Sequence, residues 1–327
     1  MNPEEIKAML GSRWMSVESY INGSLSSDIA LLQSINGRIL SHSGKQLRPL
    51  ISMLVAMACS DGGAVDDSCR YAAAAELLHN ATLLHDDVAD SSDQRRGSPT
   101  IRSLMGPSVS VLVGDYWLVK AMELILSASN HGDRVIKIFS KTLSDLAEGE
   151  MLQLQKAESG DTGYDDYIRI IYNKTASLFV SSSLSAAISV GASPEMEDAV
   201  REFSTALGLA FQIRDDIFDY SQDAVVGKPV GVDIMEQKIT LPLIGALQEV
   251  PEDEASAVRS LVASIRENPG NRERIMDFVR QHDGVAYAEK VLDGYITKAV
   301  DALDIFPDTC YRRQLADVAR YVGVRSK

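Results

Sequence analysis

Helical periodicity runs through this chain and leaves little room for other secondary structure. From 71 to 90, Ala74, Leu77, Leu78, Ala81, Leu84 and Val88 recur at steps of three and four, the spacing of one helix face. Similar stripes cover about 100–129, 133–155, 164–192 and 195–222, and several segments after 238. Alternating β-branched runs are nearly absent. The 22 glycines and 10 prolines fall mostly between stripes. Ser193-Pro194-Glu195 reads as a helix start: a capping serine, proline at the first helical position and an acid in the first turn. Breaks are expected at Ser60-Asp61-Gly62-Gly63, Ser159-Gly160-Asp161, Gly227-Lys228-Pro229 and Asn268-Pro269-Gly270. None is long enough for an inter-domain linker, and no 20–50-residue repeat is present. The expectation is one large all-α domain over residues 1–327, although length alone suggests about two domains.

Charge narrows the function classes. The 32 Lys+Arg against 46 Asp+Glu give a net charge of −14, which argues against a general nucleic-acid binder. A local basic site for an anionic ligand remains compatible. Three cysteines, Cys59, Cys69 and Cys310, lack paired spacing and read as reduced thiols of a cytoplasmic protein. Met1-Asn2-Pro3-Glu4-Glu5 has no basic, then apolar, signal-peptide pattern. The uncharged stretch Thr175–Pro194 holds seven serines and a glycine, and reads as a buried helix in a soluble protein rather than a membrane span.

Two acidic clusters share one spacing. Leu84-His85-Asp86-Asp87-Val88-Ala89-Asp90 sets Asp86 and Asp90 one helical turn apart, with Asp87 beside them. Gln212-Ile213-Arg214-Asp215-Asp216-Ile217-Phe218-Asp219 repeats the pattern. Two carboxylates ~6 Å apart repel by about 3 kcal/mol at an effective dielectric of ~20, so something must offset them. Such hard oxygen donors suit Mg²⁺, which keeps several waters and shares its coordination with substrate phosphates. A single cluster is well explained as a solvated acidic face; two with identical spacing, each at the end of an apolar helical run, are not. Cations stand nearby in sequence: Lys45 and Arg48 in Gly44-Lys45-Gln46-Leu47-Arg48-Pro49, Arg95-Arg96-Gly97, Lys174-Thr175, Lys228 and Lys238. Acids, cations and a divalent ion together suit a diphosphate ligand.

In this combination and order the chain resembles the trans-isoprenyl (polyprenyl) diphosphate synthases. The resemblance rests on Gly44–Pro49, His79-Asn80-Ala81-Thr82-Leu83-Leu84-His85 through Asp90, Arg95-Arg96-Gly97, Lys174-Thr175, Phe211 through Asp219, Gly227-Lys228 and Lys238-Ile239-Thr240-Leu241-Pro242. It implies helices around a deep central cavity, usually in a homodimer. It further implies that Asp86, Asp87, Asp90, Asp215, Asp216 and Asp219 hold several Mg²⁺ ions against an allylic diphosphate. Arg95, Lys174, Lys228 and Lys238 would contact that diphosphate, with Thr175 and Gln212 as polar neighbours. Lys45, Arg48, His79 and Arg96 would hold isopentenyl diphosphate. Where the family commonly reads Gly-Gly-Lys-Arg-x-Arg-Pro, this chain has Ser43 for the first glycine and Gln46 for the arginine after Lys45.

The implied reaction is ionisation of the allylic diphosphate, attack by the isopentenyl double bond and loss of a proton to the released diphosphate. It needs no side-chain nucleophile, and no convincing one is visible. In the family, product length is set beside the helix of the first cluster. Ala81, Leu78 and Ala74 lie within about 60° on an ideal helix, with Thr82 on an adjacent strip. Spacing alone does not say which strip faces the growing chain. No aromatic stands between Tyr71 and Asp86, which close helix packing alone could explain; the resemblance of His79-Asn80-Ala81-Thr82-Leu83-Leu84-His85 to long-chain members of the family implies a long product of six or more isoprene units. The competing readings are a shorter-chain synthase, a class I terpene cyclase, a non-catalytic partner subunit and an acidic structural protein. Membrane contact is expected to be at most transient, for product release.

Overall fold

The computed structural model describes residues 3–42, 44–95, 97–220 and 230–324. It is helical almost throughout, as the periodicity requires. The first helices are α1 (Pro3–Leu10), α2 (Ser12–Ser24), α3 (Ala30–Ser41), α4 (Leu47–Cys59) and α5 (Asp66–Ala89). Then comes a two-residue-per-strand hairpin, β1 (Gln94–Arg95) and β2 (Ser98–Pro99), succeeded by α6 (Ile101–Met105) and α7 (Pro107–Leu126). Next are α8 (Gly132–Ser159), α9 (Tyr164–Ile171), a π-helical turn at Tyr172–Ala176, α10 (Ser177–Ser189) and α11 (Pro194–Phe218). The remainder is α12 (Val232–Met235), α13 (Leu241–Gln248), α14 (Glu252–Ala263), α15 (Asn271–Gln281), α16 (Gly284–Asp301) and α17 (Cys310–Val324).

The chain gathers into two compact units. One comprises Met1–Ser140, Val180–Arg201 and Leu303–Leu315. At its centre α5 packs against α2, α4 and α7. An unbroken run of small and apolar residues, Tyr71 to Ala75 with Leu77 and Leu78, is fully buried there. Small side chains let the neighbouring helices approach, and α7 answers with Val113, Gly114, Trp117 and Ala121. Trp117 donates its indole N–H to Asn36 (2.9 Å), whose amide donates to the Leu25 carbonyl (2.8 Å), so this core holds satisfied polar groups.

The other unit comprises Lys141–Phe179, Glu202–Ala302 and Ala316–Lys327. Here α13 is buried almost along its whole length and packs on α15 and α16. Two glycines permit the approach: a Cβ on Gly245 would stand 2.5 Å from the Tyr287 ring, and one on Gly284 2.1 Å from the Pro242 carbonyl oxygen.

Several sequence expectations meet the structure directly. α11 begins at Pro194, with the Ser193 hydroxyl accepting from the Met196 N–H at 3.3 Å. The 100–129 stripe is two helices, because Gly106 at φ 89 and Pro107 interrupt it. The 164–192 stripe is also interrupted, by the π turn, which periodicity does not show because residues 175–189 are buried on every side. The break at Gly227-Lys228-Pro229 lies outside the described residues. Cys59, Cys69 and Cys310 are free thiols. Among the described residues no helix is long and apolar enough to cross a membrane.

Candidate active site

The first acidic cluster ends α5. Asp90 is the residue after the last helical turn, and its N–H donates to the Asp86 carbonyl at 2.8 Å. A helix C-terminus carries about half a negative charge, so carboxylates here are disfavoured by the backbone as well as by each other. Asp87 is the buried member, 4 % exposed, and Arg95 Nε donates to its Oδ1 at 2.8 Å. Arg95 is presented by the β1–β2 hairpin, in which Gly97 takes the left-handed conformation at φ 75. Burial pushes the Asp87 carboxyl above its ordinary range, and the arginine only partly opposes it.

Asp86 is half-buried and Asp90 exposed. Asp86 shares one half-buried helix strip with Leu83, Thr82 and His79, whereas Ala74, Leu78 and Ala81 are fully buried. The two strips left open by spacing therefore lie in different surroundings. His85 leans on α7, its Nε2 3.2 Å from Asp115 Oδ1. Gly114 makes room, since a Cβ there would stand 2.4 Å from the imidazole. Lys45 is exposed on the loop before α4, and Arg48 is half-buried in the first turn of that helix. Gln46, the departure from the family pattern, has left-handed backbone at φ 52 and precedes the helix.

The second cluster is built into a hydrogen-bonded network in the other unit. Lys174 and Thr175 stand on the π turn, a geometry that recurs at functional sites. Glycines on two helices let this wider turn fit. A Cβ on Gly149 of α8 would lie 2.7 Å from Asn173 Cβ, and one on Gly208 of α11 2.5 Å from Ala176 Cα. Lys174 Nζ pairs with Glu150 (2.5 Å) and donates to Gln153 Oε1 (3.0 Å), both on α8. Thr175 donates to Gln212 Oε1 (2.8 Å), and Gln212 Nε2 donates to Asp216 Oδ1 (2.8 Å). The other oxygen of Asp216 accepts from the Tyr167 hydroxyl at 2.6 Å.

Asp216 is thus the buried member here, as Asp87 is in the first cluster. Burial drives its carboxyl well above the ordinary range, and the Asp233 charge adds to this. Asp219 lies just past the end of α11 and accepts from the backbone N–H groups of Val232 (2.9 Å) and Asp233 (3.0 Å). Burial raises its pKa against those hydrogen bonds. Asp233 is pushed up to about 6 by burial and by Asp219. Asp215 is half-buried. Lys238 pairs with Glu236, and its backbone N–H donates to the Asp233 carbonyl at 2.9 Å.

The expected residues Gln212, Thr175, Lys174, Asp215, Asp216, Asp219 and Lys238 thus lie in one unit, the first three joined to or flanking one network. Asp86, Asp87, Asp90, Arg95, Lys45, Arg48 and His79 lie in the other. Arg96, Lys228 and Ser43 lie outside the described residues. Tyr167, Glu150, Gln153 and Asp233 do not stand out in the sequence. Each sits in an ordinary amphipathic helical or loop segment with no repeated spacing to single it out. Among the described residues no three His, Cys, Asp or Glu side chains form a ready-made metal cage. Each cluster taken by itself nonetheless fits a hard divalent ion: oxygen-only carboxylates, one of the three buried and two reaching water, with a cation suited to phosphate in the same unit.

The polyprenyl synthetase family model matches residues 29–279. The chain belongs to the polyprenyl synthetase family. Among curated relatives it is 36 % identical to the all-trans-nonaprenyl-diphosphate synthase (geranyl-diphosphate specific) of Rhodobacter capsulatus, over 97 % of this chain and 96 % of that protein. Among solved structures it resembles a decaprenyl diphosphate synthase from Rhodobacter capsulatus with a TM-score of 0.91, at 33 % identity and 99 % coverage of both chains. A polyprenyl synthase from Caulobacter crescentus, solved with calcium and isoprenyl diphosphate, matches with a TM-score of 0.90 at 30 % identity, covering 99 % of this chain and 98 % of that one. The all-α expectation and the family resemblance both hold. As a polyprenyl synthetase the chain is a prenyltransferase; its curated relatives include long-chain nonaprenyl and octaprenyl diphosphate synthases as well as a short chain isoprenyl diphosphate synthase at 31 % identity.

Proposed function

We propose that this chain condenses an allylic diphosphate, such as farnesyl diphosphate, head to tail with isopentenyl diphosphate, in a Mg²⁺-dependent reaction that releases diphosphate and yields all-trans polyprenyl diphosphates of six or more isoprene units. The observation that carries the reading is the second acidic cluster. Asp216, Gln212 and Thr175 form a hydrogen-bonded chain leading to the turn that presents Lys174. A chain kept only as a non-catalytic partner would have no use for this arrangement, and a class I cyclase typically carries an Asn/Ser/Glu-type second motif instead.

In this reading Asp86, Asp87, Asp90, Asp215, Asp216 and Asp219 make up the metal-binding carboxylates. Asp87 and Asp216 are the buried members, Asp90 is exposed, and Asp86, Asp215 and Asp219 are half-buried. When bound, Mg²⁺ supplies electrostatic stabilisation of the departing diphosphate. Lys174, Arg95, Lys228 and Lys238 neutralise the charge that gathers on the leaving oxygens, a preorganised effect strongest in a water-poor site. Lys45, Arg48, His79 and Arg96 hold isopentenyl diphosphate, so that its double bond meets the allylic cation at close range. The released diphosphate takes the proton. Aliphatic residues of α5 keep water from the cation and leave space for a long product. The working form is a cytoplasmic homodimer.

The test is turnover of the purified protein with farnesyl diphosphate and labelled isopentenyl diphosphate, with products sized by chromatography. Linear products of six or more units are expected, with activity lost on chelation and restored by Mg²⁺. Asp86→Ala and Asp215→Ala should each lower kcat by at least about a thousandfold, the several kcal/mol a catalytic metal supplies. Cyclic hydrocarbon products, no turnover, or full activity in either variant would overturn the assignment.

A further inference from the structure

We propose that Tyr167 is a positioning residue for the second acidic cluster, fixing the Asp216 carboxylate and thereby setting how tightly that cluster holds its divalent ion. The inference rests on the metal-binding reading above.

Tyr167 is 2 % exposed and comes from α9, while the acids come from the end of α11. Its hydroxyl donates to Asp216 Oδ2 at 2.6 Å while Gln212 donates to Oδ1 at 2.8 Å. With a donor on each oxygen, the carboxylate has one orientation and cannot rotate to exchange them. Gln212 is oriented in turn, because its Oε1 accepts from Thr175 at 2.8 Å. The chain Thr175, Gln212, Asp216, Tyr167 therefore joins three segments: the π turn, the last turns of α11, and α9. Lys174 leaves the π turn one residue before Thr175, and Asp215 leaves α11 one residue before Asp216. Fixing Asp216 thus fixes the backbone that carries both the Lys174 cation and the half-buried Asp215 carboxylate.

Removing the phenol oxygen leaves Asp216 Oδ2 buried without its donor. The carboxylate must then turn or draw in water, and the end of α11 moves with it. Outer-shell partners of this kind change metal affinity by about 10–100-fold when removed. A phenylalanine fills the same apolar space, so a purely packing role would be preserved by it.

The experiment measures Mn²⁺ binding by electron paramagnetic resonance on the full-length protein, in the presence of a non-ionising thiolo analogue of farnesyl diphosphate. Wild type, Tyr167→Phe, Asp216→Asn and the double variant are compared, with helicity checked by circular dichroism. Tyr167→Phe should weaken Mn²⁺ binding by about tenfold or more. The double variant should bind no more weakly than Asp216→Asn alone, since a residue acting through Asp216 has nothing left to act on. Affinity within twofold of wild type, or losses that multiply in the double variant, overturns the proposal. Should Tyr167→Phe not fold, Gln212→Met removes the other donor to the same carboxylate and is read by the same criteria. Absence of Mn²⁺ binding in the wild-type protein overturns the metal-site reading and this inference with it. Wild-type binding with an unaffected variant overturns this inference alone.

Discussion

In the proposed function product length is set beside α5, and the two candidate strips of that helix differ physically. Thr82 is half-buried on the strip of Asp86, and its hydroxyl is already satisfied by the His79 carbonyl at 2.8 Å. Ala81 is 1 % exposed and packed among Ala74, Leu78 and their neighbours. Thr82→Tyr should shift products toward shorter chains with little loss of stability. Ala81→Tyr should shorten them too, and in addition cost about 1–3 kcal/mol of stability by overpacking. Chromatographic sizing and thermal melts check both; unchanged product length in either variant removes that residue from the wall of the growing chain. At this scale the acidic motifs were fully legible, because repeated spacing of like charges has no cheap structural explanation. Tyr167 and Glu150 were not. A buried hydrogen bond between residues 49 apart leaves no local pattern, and neither residue type is unusual on an amphipathic helix.

Among the elements, the π turn at Tyr172–Ala176 is the one whose geometry is most exposed to mutation. It is accommodated by Gly149 and Gly208 on two different helices, and a Cβ on Gly208 would come within 2.5 Å of Ala176 Cα. Backbone cannot swing aside as a flexible side chain can. Gly208→Ala should therefore displace the turn, lower kcat by about 10²-fold through misplacement of Lys174, and destabilise the fold by about 1–3 kcal/mol. A kinetic assay beside a melt separates the two effects; wild-type kcat would show that the turn does not position Lys174. Periodicity located the helices well, from the α11 cap at Ser193 to the end of α5. It missed the π turn because residues 175–189 are buried on every side and leave no one-sided stripe whose phase could shift, while the decisive glycines lie far away in sequence.

For the molecule as a whole, α7 has a face that its own unit does not cover. Leu112, Val119 and Leu126 are 68 %, 50 % and 63 % exposed, and they recur every seven residues, as on a helix that meets another helix. This stripe supports the proposed homodimer, with a second copy covering it. Leu112→Arg with Val119→Arg should convert the dimer to monomer in sedimentation velocity, since each charge would have to be buried. A wild-type monomer, or a variant that remains dimeric, would place the contact elsewhere. The sequence could not reveal this stripe: the periodicity shows that α7 is apolar on most sides, and only the packing against α5 separates the covered side from the open one.

The π turn also works as a fold in the thread. Its i→i+5 bonding takes up one residue more than an α turn while turning the backbone through nearly the same angle. Losing one of its five residues would therefore restore α geometry and leave Tyr167, five residues before the turn, on its present side of α9. What would go is the bulge itself, and with it the place of Lys174 and Thr175. A single-codon deletion across residues 172–176 is expected to give a more regular helix that has surrendered the Lys174 cation and the Thr175–Gln212 hydrogen bond.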